Sequence, residues 1–376
     1  MELQIDRTKE YGLVLEGGGA KGAYQIGAWK ALREAGILIK GVAGSSVGAL
    51  NGALICMDDL DTAEYIWENI SYSKVMDIDD NMMESVRNWD LKSIDMGLLT
   101  EEIRKILHDR GLDITPLRKL ISQTVDEDRI RNSGKDLFIT TYSVSDRRLL
   151  TVSADQIPKG QIGDMLMASA YLPVFKREPL GGKKYLDGGG WNNVPTDPLL
   201  DHQYRDIIII RIYGLGFDSE KVTEIPEGTR VYHIAPRQNL GGMLRFDKQL
   251  ARKNMKLGYY DATRFLYDLK GKWYYLDAPE PESWYFDQLV KEADLLKNRM
   301  PPELFTVLKE GEEKMPGYRY YMEVLFPMLA RHWSLKPDWD YKELYLTFLE
   351  NAARRRRISR FCVYRPSELM EKVKLA

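Results

Sequence analysis

The sequence predicts an α/β fold, a mostly parallel sheet covered by helices, with a helical C-terminal region appended. Three observations carry that prediction. Near the N-terminus two short apolar runs, residues 11–15 and 37–43, each enter a glycine-bearing turn and then a helical segment. Strand, loop and helix follow one another twice, the order that sets successive strands parallel. Further on, Ile207, Ile208, Ile209 and Ile210 stand in a row and read as a strand buried on both faces. From about Arg245 the chain turns to Lys, Arg, Tyr, Trp and Leu at helical spacing, with few β-branched runs.

The first strand, 11–15, ends in Glu16, Gly17, Gly18 and Gly19. The helix behind it carries Ala28, Ala31, Leu32 and Ala35 on one face, and Gly36 caps it. The second strand, 37–43, runs into Gly44-Ser45-Ser46-Val47-Gly48, after which 49–56 continues as a helix of small residues. From Met57 to about Arg131 the chain is polar, acidic and helix-like. Thr100, followed by Glu101 and Glu102, reads as an N-cap, and Thr115 as another with Pro116 at the first helical position. Strands resume at 137–144 and 148–152, a helix spans 165–170, and a short strand spans 184–186. The isoleucine strand extends over 206–213, and 231–235 is the last.

With 376 residues the chain is too long for one small core, so a main domain and a second region are expected. Its apolar content of 44% and charged content of 29% are those of a globular protein. A net charge of -2 gives no ground for nucleic-acid binding. Cys56 and Cys362 cannot build a disulfide framework, and Cys56, behind an apolar run, reads as a buried thiol. The charged N-terminal stretch shows no apolar h-region, and no segment approaches the roughly 18–20 apolar residues of a membrane span. A cytoplasmic, soluble protein is expected, with peripheral contact at a membrane left open.

Gly44-Ser45-Ser46-Val47-Gly48 fits G-x-S-x-G, in which the central serine sits on a sharp strand-to-helix turn with its hydroxyl presented. A serine hydroxyl is a weak nucleophile and needs a base within reach and aligned donors for the oxyanion. None of the four histidines, His108, His202, His233 and His332, has the loop setting after a late strand that a triad asks for. Asp187 is better marked, because it ends a short strand and precedes Gly188, Gly189 and Gly190. Alone, that segment is an Asp-Gly turn. Beside Ser46 it is a candidate base, whose pKa burial would raise above the ordinary carboxylate value of about 3.9.

Gly17, Gly19 and Gly22 also satisfy G-x-G-x-x-G between a strand and a helix. The acidic residue that a ribose would need about twenty positions on is missing, since the second strand ends in the serine turn. A phosphate-binding loop fails too, because Gly22 rather than Ser or Thr follows Lys21. What the loop offers is a row of backbone N–H groups at a helix N-terminus, suited to an anionic oxygen. Adjacent first and second strands would hold it beside Ser46. Ser45 and Ser169 read as packing or polar support.

Taken together, Gly-Gly-Gly-Ala-Lys-Gly at 17–22, Gly-Ser-Ser-Val-Gly at 44–48 and Asp-Gly-Gly at 187–189 resemble the patatin-like phospholipase family. The Ala-Ser block at 167–175 and Asn193-Val194-Pro195 strengthen the likeness, which spans residues 11–198. The resemblance implies a three-layer α/β/α sandwich with a mostly parallel sheet. It implies Ser46 as nucleophile, Asp187 as a base acting without histidine, and Gly17, Gly18 and Gly19 as the oxyanion loop. Gly22, Gly44, Gly48, Gly188 and Gly189 match supporting glycines. Lys21 matches a basic position that either meets an anionic head group of the substrate or fixes the loop.

The implied activity is hydrolysis of lipid acyl esters, as phospholipase A, lysophospholipase or lipid acyl hydrolase, through an acyl-enzyme and with no cofactor or metal. Esterase, thioesterase or acyltransferase action on small acyl substrates is one alternative, and a non-catalytic lipid-binding protein another. The expected partners are the lipid or acyl ester substrate and a transient membrane contact, with no nucleic acid; the sequence assigns no oligomeric state. The expected division is a patatin-like domain over 8–240, with a helical insertion at about 57–131, and a helical region over 241–376 of unassigned role. In that last region Tyr318, Tyr320, Tyr321, Trp333 and the arginines 354–357 are weighed as membrane-facing groups against a plain aromatic core and a solvated arginine face, and the plain reading is preferred.

Overall fold

Buried on both sides, strand β1 (Glu10–Leu15) lies at the middle of a seven-stranded sheet. The computed structural model describes residues 1–78, 80, 111–176, 178–218, 223–297, 315 and 317–375. The strand order is β4–β3–β2–β1–β6–β7, with β5 paired to β3 off that path. The strands are β2 (Leu38–Ser45), β3 (Asp136–Ser143), β4 (Arg148–Ser153), β5 (Tyr185–Asp187), β6 (Asp206–Ile210) and β7 (Arg230–Ile234). β1, β2, β3, β6 and β7 run parallel, while β4 and β5 are antiparallel to β3.

Alternation of side chains sends the apolar strands into two cores. On one face Val14, Ala43, Phe138, Ile207 and Ile209 pack with Leu199 and Leu200 of the helix Asp197–Asp201. On the other, helix α2 (Val47–Cys56) lies against Leu15, Val42 and Leu137, whose side chains line the position of Gly52. Both faces are therefore covered, which makes the α/β/α sandwich with a mostly parallel sheet.

Each expected strand is present, with one shortened. The isoleucine strand ends at Ile210 rather than continuing to Tyr213, because the N–H groups of Ile212 and Tyr213 turn to the carboxylate of Glu16 instead of a neighbouring strand. Thr115 is already helical in Thr115–Thr124, and Asp113 Oδ1 accepts its N–H at 2.7 Å, so the aspartate takes the role expected of the threonine. The cap at Thr100 lies outside the described residues.

Residues Leu3–Leu266 form one compact unit, and Tyr267–Ala376 with Met1–Glu2 a second. The first unit passes beyond residue 240 to take in most of the helix Lys248–Tyr267. Glycines allow this. A Cβ on Gly27 of helix α1 (Ala23–Glu34) would stand 1.8 Å from the Met255 carbonyl oxygen, and one on Gly258 would stand 1.9 Å from that of Tyr24, so the two backbones touch only because neither residue has a side chain.

The second unit is mainly helical, with a two-residue parallel pair between Tyr275–Leu276 and Val363–Tyr364 that its composition does not announce. Its core joins Tyr285, Phe326, Tyr345 and Phe348. Tyr320 is buried, Tyr321 and Trp333 pack against the same core, and Tyr318 is exposed. Most of the aromatics weighed for membrane contact thus serve packing. Arg354, Arg355, Arg356 and Arg357 are exposed. Among the described residues no helix is long and apolar enough to cross a membrane.

Candidate active site

β2 delivers Ser46. The residue has φ 55° and ψ -127°, a conformation that costs a non-glycine residue about 1–3 kcal/mol and persists only where packing enforces it. Gly44 and Gly48 let the turn close. A Cβ on Gly44 would lie 2.4 Å from the Gly48 carbonyl carbon, and one on Gly48 would lie 2.2 Å from the Leu15 carbonyl oxygen. Helix α2 starts directly behind the serine, whose side chain is left 7% exposed. The backbone N–H of Ser46 donates to Ser169 Oγ at 2.8 Å, and that hydroxyl donates in turn to the Thr140 carbonyl at 2.6 Å. Ser169 is the polar support it was expected to be. Ser45 Oγ is buried without a hydrogen bond.

β3 sets the distance between Ser46 and Asp187. One edge of β3 is taken along its length by β4, so β2 and β5 share the other. β2 runs along it to the pair Ser45–Thr140, and β5 begins at the next residue with the pair Asp187–Thr141. Two strands from distant parts of the chain therefore meet end to end, one carrying the serine and the other the aspartate.

Asp187 is 8% exposed and its pKa is pushed up to about 6, chiefly by burial, against the opposing pull of the Ser46 hydroxyl and the Gly189 N–H. Oδ1 accepts that N–H at 2.7 Å, whereas Oδ2 makes no hydrogen bond. The Ser46 hydroxyl favours the ionised carboxylate, and Oδ2 is left open on that side.

The glycine loop lies against this pair. A Cβ on Gly17 would lie 3.3 Å from Ser46 Cβ and 3.0 Å from the Ser45 carbonyl oxygen. The three glycines differ as donors. The N–H of Gly17 is committed to the Asn193 carbonyl at 3.1 Å, whereas those of Gly18 and Gly19 donate to no acceptor among the described residues. Gly22 packs its bare face near Val47, Trp67 and Asn51. Gly188 receives the N–H groups of Trp191 and Asn192 on its carbonyl, and Gly189 presents its own N–H to Asp187. Lys21 Nζ donates to the Tyr213 carbonyl at 2.6 Å, a contact that fixes the loop.

Glu16, to which the sequence reading gave no role, and Asn193, noted there only as part of the family likeness, brace the glycine loop. Glu16 is 2% exposed and its carboxylate collects Arg211 Nε at 3.1 Å and the N–H groups of Ile212, Tyr213 and Gly214 at 2.7, 3.0 and 3.1 Å. Asn193 Nδ2 reaches the Gly17 carbonyl at 3.1 Å. The available signal was an acidic residue at the end of an otherwise apolar buried strand, since a carboxylate there must be met by donors.

From Ser46 an apolar cavity opens, with about 760 Å³ of empty space including its mouth. Leu50 and Leu54 of α2, Trp67, Leu117, Phe175 and Phe246 are among its walls. Ser46, Leu50 and Leu54 follow at four-residue steps, so the cavity runs along α2 for about 12 Å at 1.5 Å per residue. His202 is held elsewhere, with Nδ1 2.8 Å from the Pro198 carbonyl oxygen and its ring against Phe138. His233 stands in β7 and His332 belongs to the second unit. Among the described residues no group of three or more His, Cys, Asp or Glu is placed to hold a metal ion.

A serine on a strained strand-to-helix turn, beside a buried carboxylate and lining an apolar cavity, has the parts that a hydrolytic site on an α/β/α sandwich needs. Residues 13–200 match the family described as "Patatin-like phospholipase". Neuropathy target esterase sws of Drosophila melanogaster is 31% identical over 210 residues, covering 54% of this chain and 13% of that protein. Its counterpart in Drosophila persimilis is 32% identical over 193 residues, covering 49% of this chain and 11% of that protein. The match thus takes in a small part of those relatives' length. Among solved structures, VipD from Legionella pneumophila aligns with a TM-score of 0.42 at 15% identity, over 92% of this chain and 83% of that one. The type III effector protein ExoU aligns with a TM-score of 0.35 at 16% identity, over 92% and 69%. The chain belongs to the patatin-like phospholipase family.

Proposed function

We propose that this chain cleaves acyl esters of lipids through a Ser46–Asp187 dyad, with the acyl chain held in the cavity along α2. The observation that carries the reading is the cavity itself, apolar almost throughout and lined by the serine. Asp187 Oδ2 takes the proton of Ser46 as Oγ attacks the ester carbonyl. The N–H groups of Gly18 and Gly19 are the donors assigned to the oxyanion, since that of Gly17 is already engaged. Collapse of the tetrahedral intermediate releases the alcohol, which takes the proton from Asp187. Water then gives its proton to Asp187 and attacks the acyl-enzyme, and Ser46 recovers its proton as the fatty acid leaves.

The relatives bear the name esterase, and the apolar cavity supports a reading in which the acyl group is apolar and extended. A cavity of about 12 Å holds about ten carbons, at roughly 1.25 Å advance per C–C bond of about 1.5 Å. A fluorophosphonate probe should label the chain and should not label the Ser46→Ala variant. A panel of phospholipids, acylglycerols and nitrophenyl esters should show acyl chains of ten or so carbons preferred over acetyl and butyryl. Labelling that survives in Ser46→Ala, or a preference for the shortest esters, would overturn the proposal.

A further inference from the structure

Trp191, Tyr213 and Phe217 are large side chains left 42%, 56% and 50% exposed. They stand on two loops stitched by backbone hydrogen bonds, Phe217 N–H to the Gly189 carbonyl at 3.1 Å and Asn193 N–H to the Phe217 carbonyl at 2.8 Å. Trp191 follows the Asp187 turn and stacks on Tyr142, with ring centroids 3.8 Å apart and planes within 6°. Tyr142 is paired across the sheet with Leu149 of β4, itself exposed. An apolar surface thus runs from Leu149 through Tyr142 and Trp191 to Phe217, bordering the strand that carries the candidate base.

Cations frame it. The β3–β4 turn reads Ser145-Asp146-Arg147-Arg148, and the approach to β5 reads Gly181-Gly182-Lys183-Lys184. The two segments are joined by Val144 N–H to the Lys184 carbonyl and by Lys184 N–H to Ser145 Oγ, at 2.8 and 3.0 Å. Together they hold four exposed cations and one carboxylate, Asp146, which Lys183 already pairs at 2.8 Å. Aromatic side chains that combine an apolar body with a polar tip favour the water–lipid boundary, and adjacent cations favour anionic head groups. An exposed apolar surface of this kind marks an interaction site.

We propose that this surface docks on a bilayer containing anionic phospholipid. The choice of a bilayer rests on the acyl hydrolase reading, and the docking is measured apart from it. The full chain carrying Ser46→Ala, which leaves vesicles intact, is sedimented with phosphatidylcholine vesicles with and without phosphatidylserine. Sedimentation is expected with phosphatidylserine, weakened about fivefold for each of Arg147→Gln and Arg148→Gln. Trp191→Ala with Phe217→Ala should weaken it roughly tenfold or more. With Ser46 restored, both pairs of variants should still turn over a soluble nitrophenyl ester, which shows them folded, while vesicle phospholipid is cleaved more slowly.

The proposal is overturned if the parent stays in the supernatant with both vesicles, or if both pairs of variants sediment as the parent does. In the second case Arg355→Gln with Arg357→Gln would test the other basic cluster as the anchor. Failure to hydrolyse any ester, with sedimentation still dependent on Trp191 and Arg148, would remove the catalytic reading and leave the docking standing.

Discussion

The ends of β1 and β5 each carry a buried carboxylate, and the protein treats them in opposite ways. Glu16 is saturated, with three backbone N–H groups and the Arg211 guanidinium gathered on its two oxygens. Asp187 receives one backbone N–H on one oxygen, and the other makes no hydrogen bond. The first arrangement ties the glycine loop to the segment after β6. The second leaves a carboxylate with unspent basicity, held up at about 6 by burial. Burial alone therefore does not make a group reactive. The number of donors supplied decides whether it becomes a structural tie or a base.

Two substitutions press on that contrast. The largest effect is expected for Asp187→Asn, which keeps the acceptor for Gly189 N–H and removes the base; kcat/KM toward a nitrophenyl ester should fall by about 10⁴-fold. Glu16→Gln should fall far less in the same assay, and a comparable loss in both would erase the distinction between tie and base. Next in size is the stability of Glu16→Gln. Its buried donors lose a charged acceptor, and Arg211 loses one of its carboxylate partners, so urea denaturation should show a loss of about 3–5 kcal/mol.

The smallest effect has the opposite sign. Because folding raises the pKa of Asp187, stability from its proton is fully present below the unfolded value of 3.8 and is lost as pH rises through about 6. Asp187→Asn removes that penalty. The variant should exceed the parent in stability by up to about 3 kcal/mol at pH 8 and by almost nothing at pH 4, measured by denaturation at both. An equal gain at the two pH values would show that the carboxylate is not held up by burial.

Much of this was legible in the sequence. Apolar runs, glycine turns and the isoleucine row announced the strands, and G-x-S-x-G with Asp-Gly-Gly singled out Ser46 and Asp187. The scarcity of well-placed histidines argued for a dyad before any geometry was known. What stayed hidden has common causes. The donors on Glu16 are backbone groups contributed by residues 212–214, and backbone N–H groups carry no residue signature. The loss of the Gly17 N–H to Asn193 is a loop contact between residues far apart in the chain. The end of the isoleucine strand was overestimated because hydrophobicity continues through Ile212 after the pairing has stopped.

The meeting of β2 and β5 on one edge of β3 makes two neighbouring residues, Thr140 and Thr141, the ruler of the site. The chain between α2 and β3 can lengthen, shorten or exchange its surface without altering that measure. A slip of β5 by a single residue along β3 would instead turn Asp187 to the opposite face of the sheet. The architecture therefore leaves substrate preference open to change over more than half of the intervening chain while holding the reacting pair to one peptide unit.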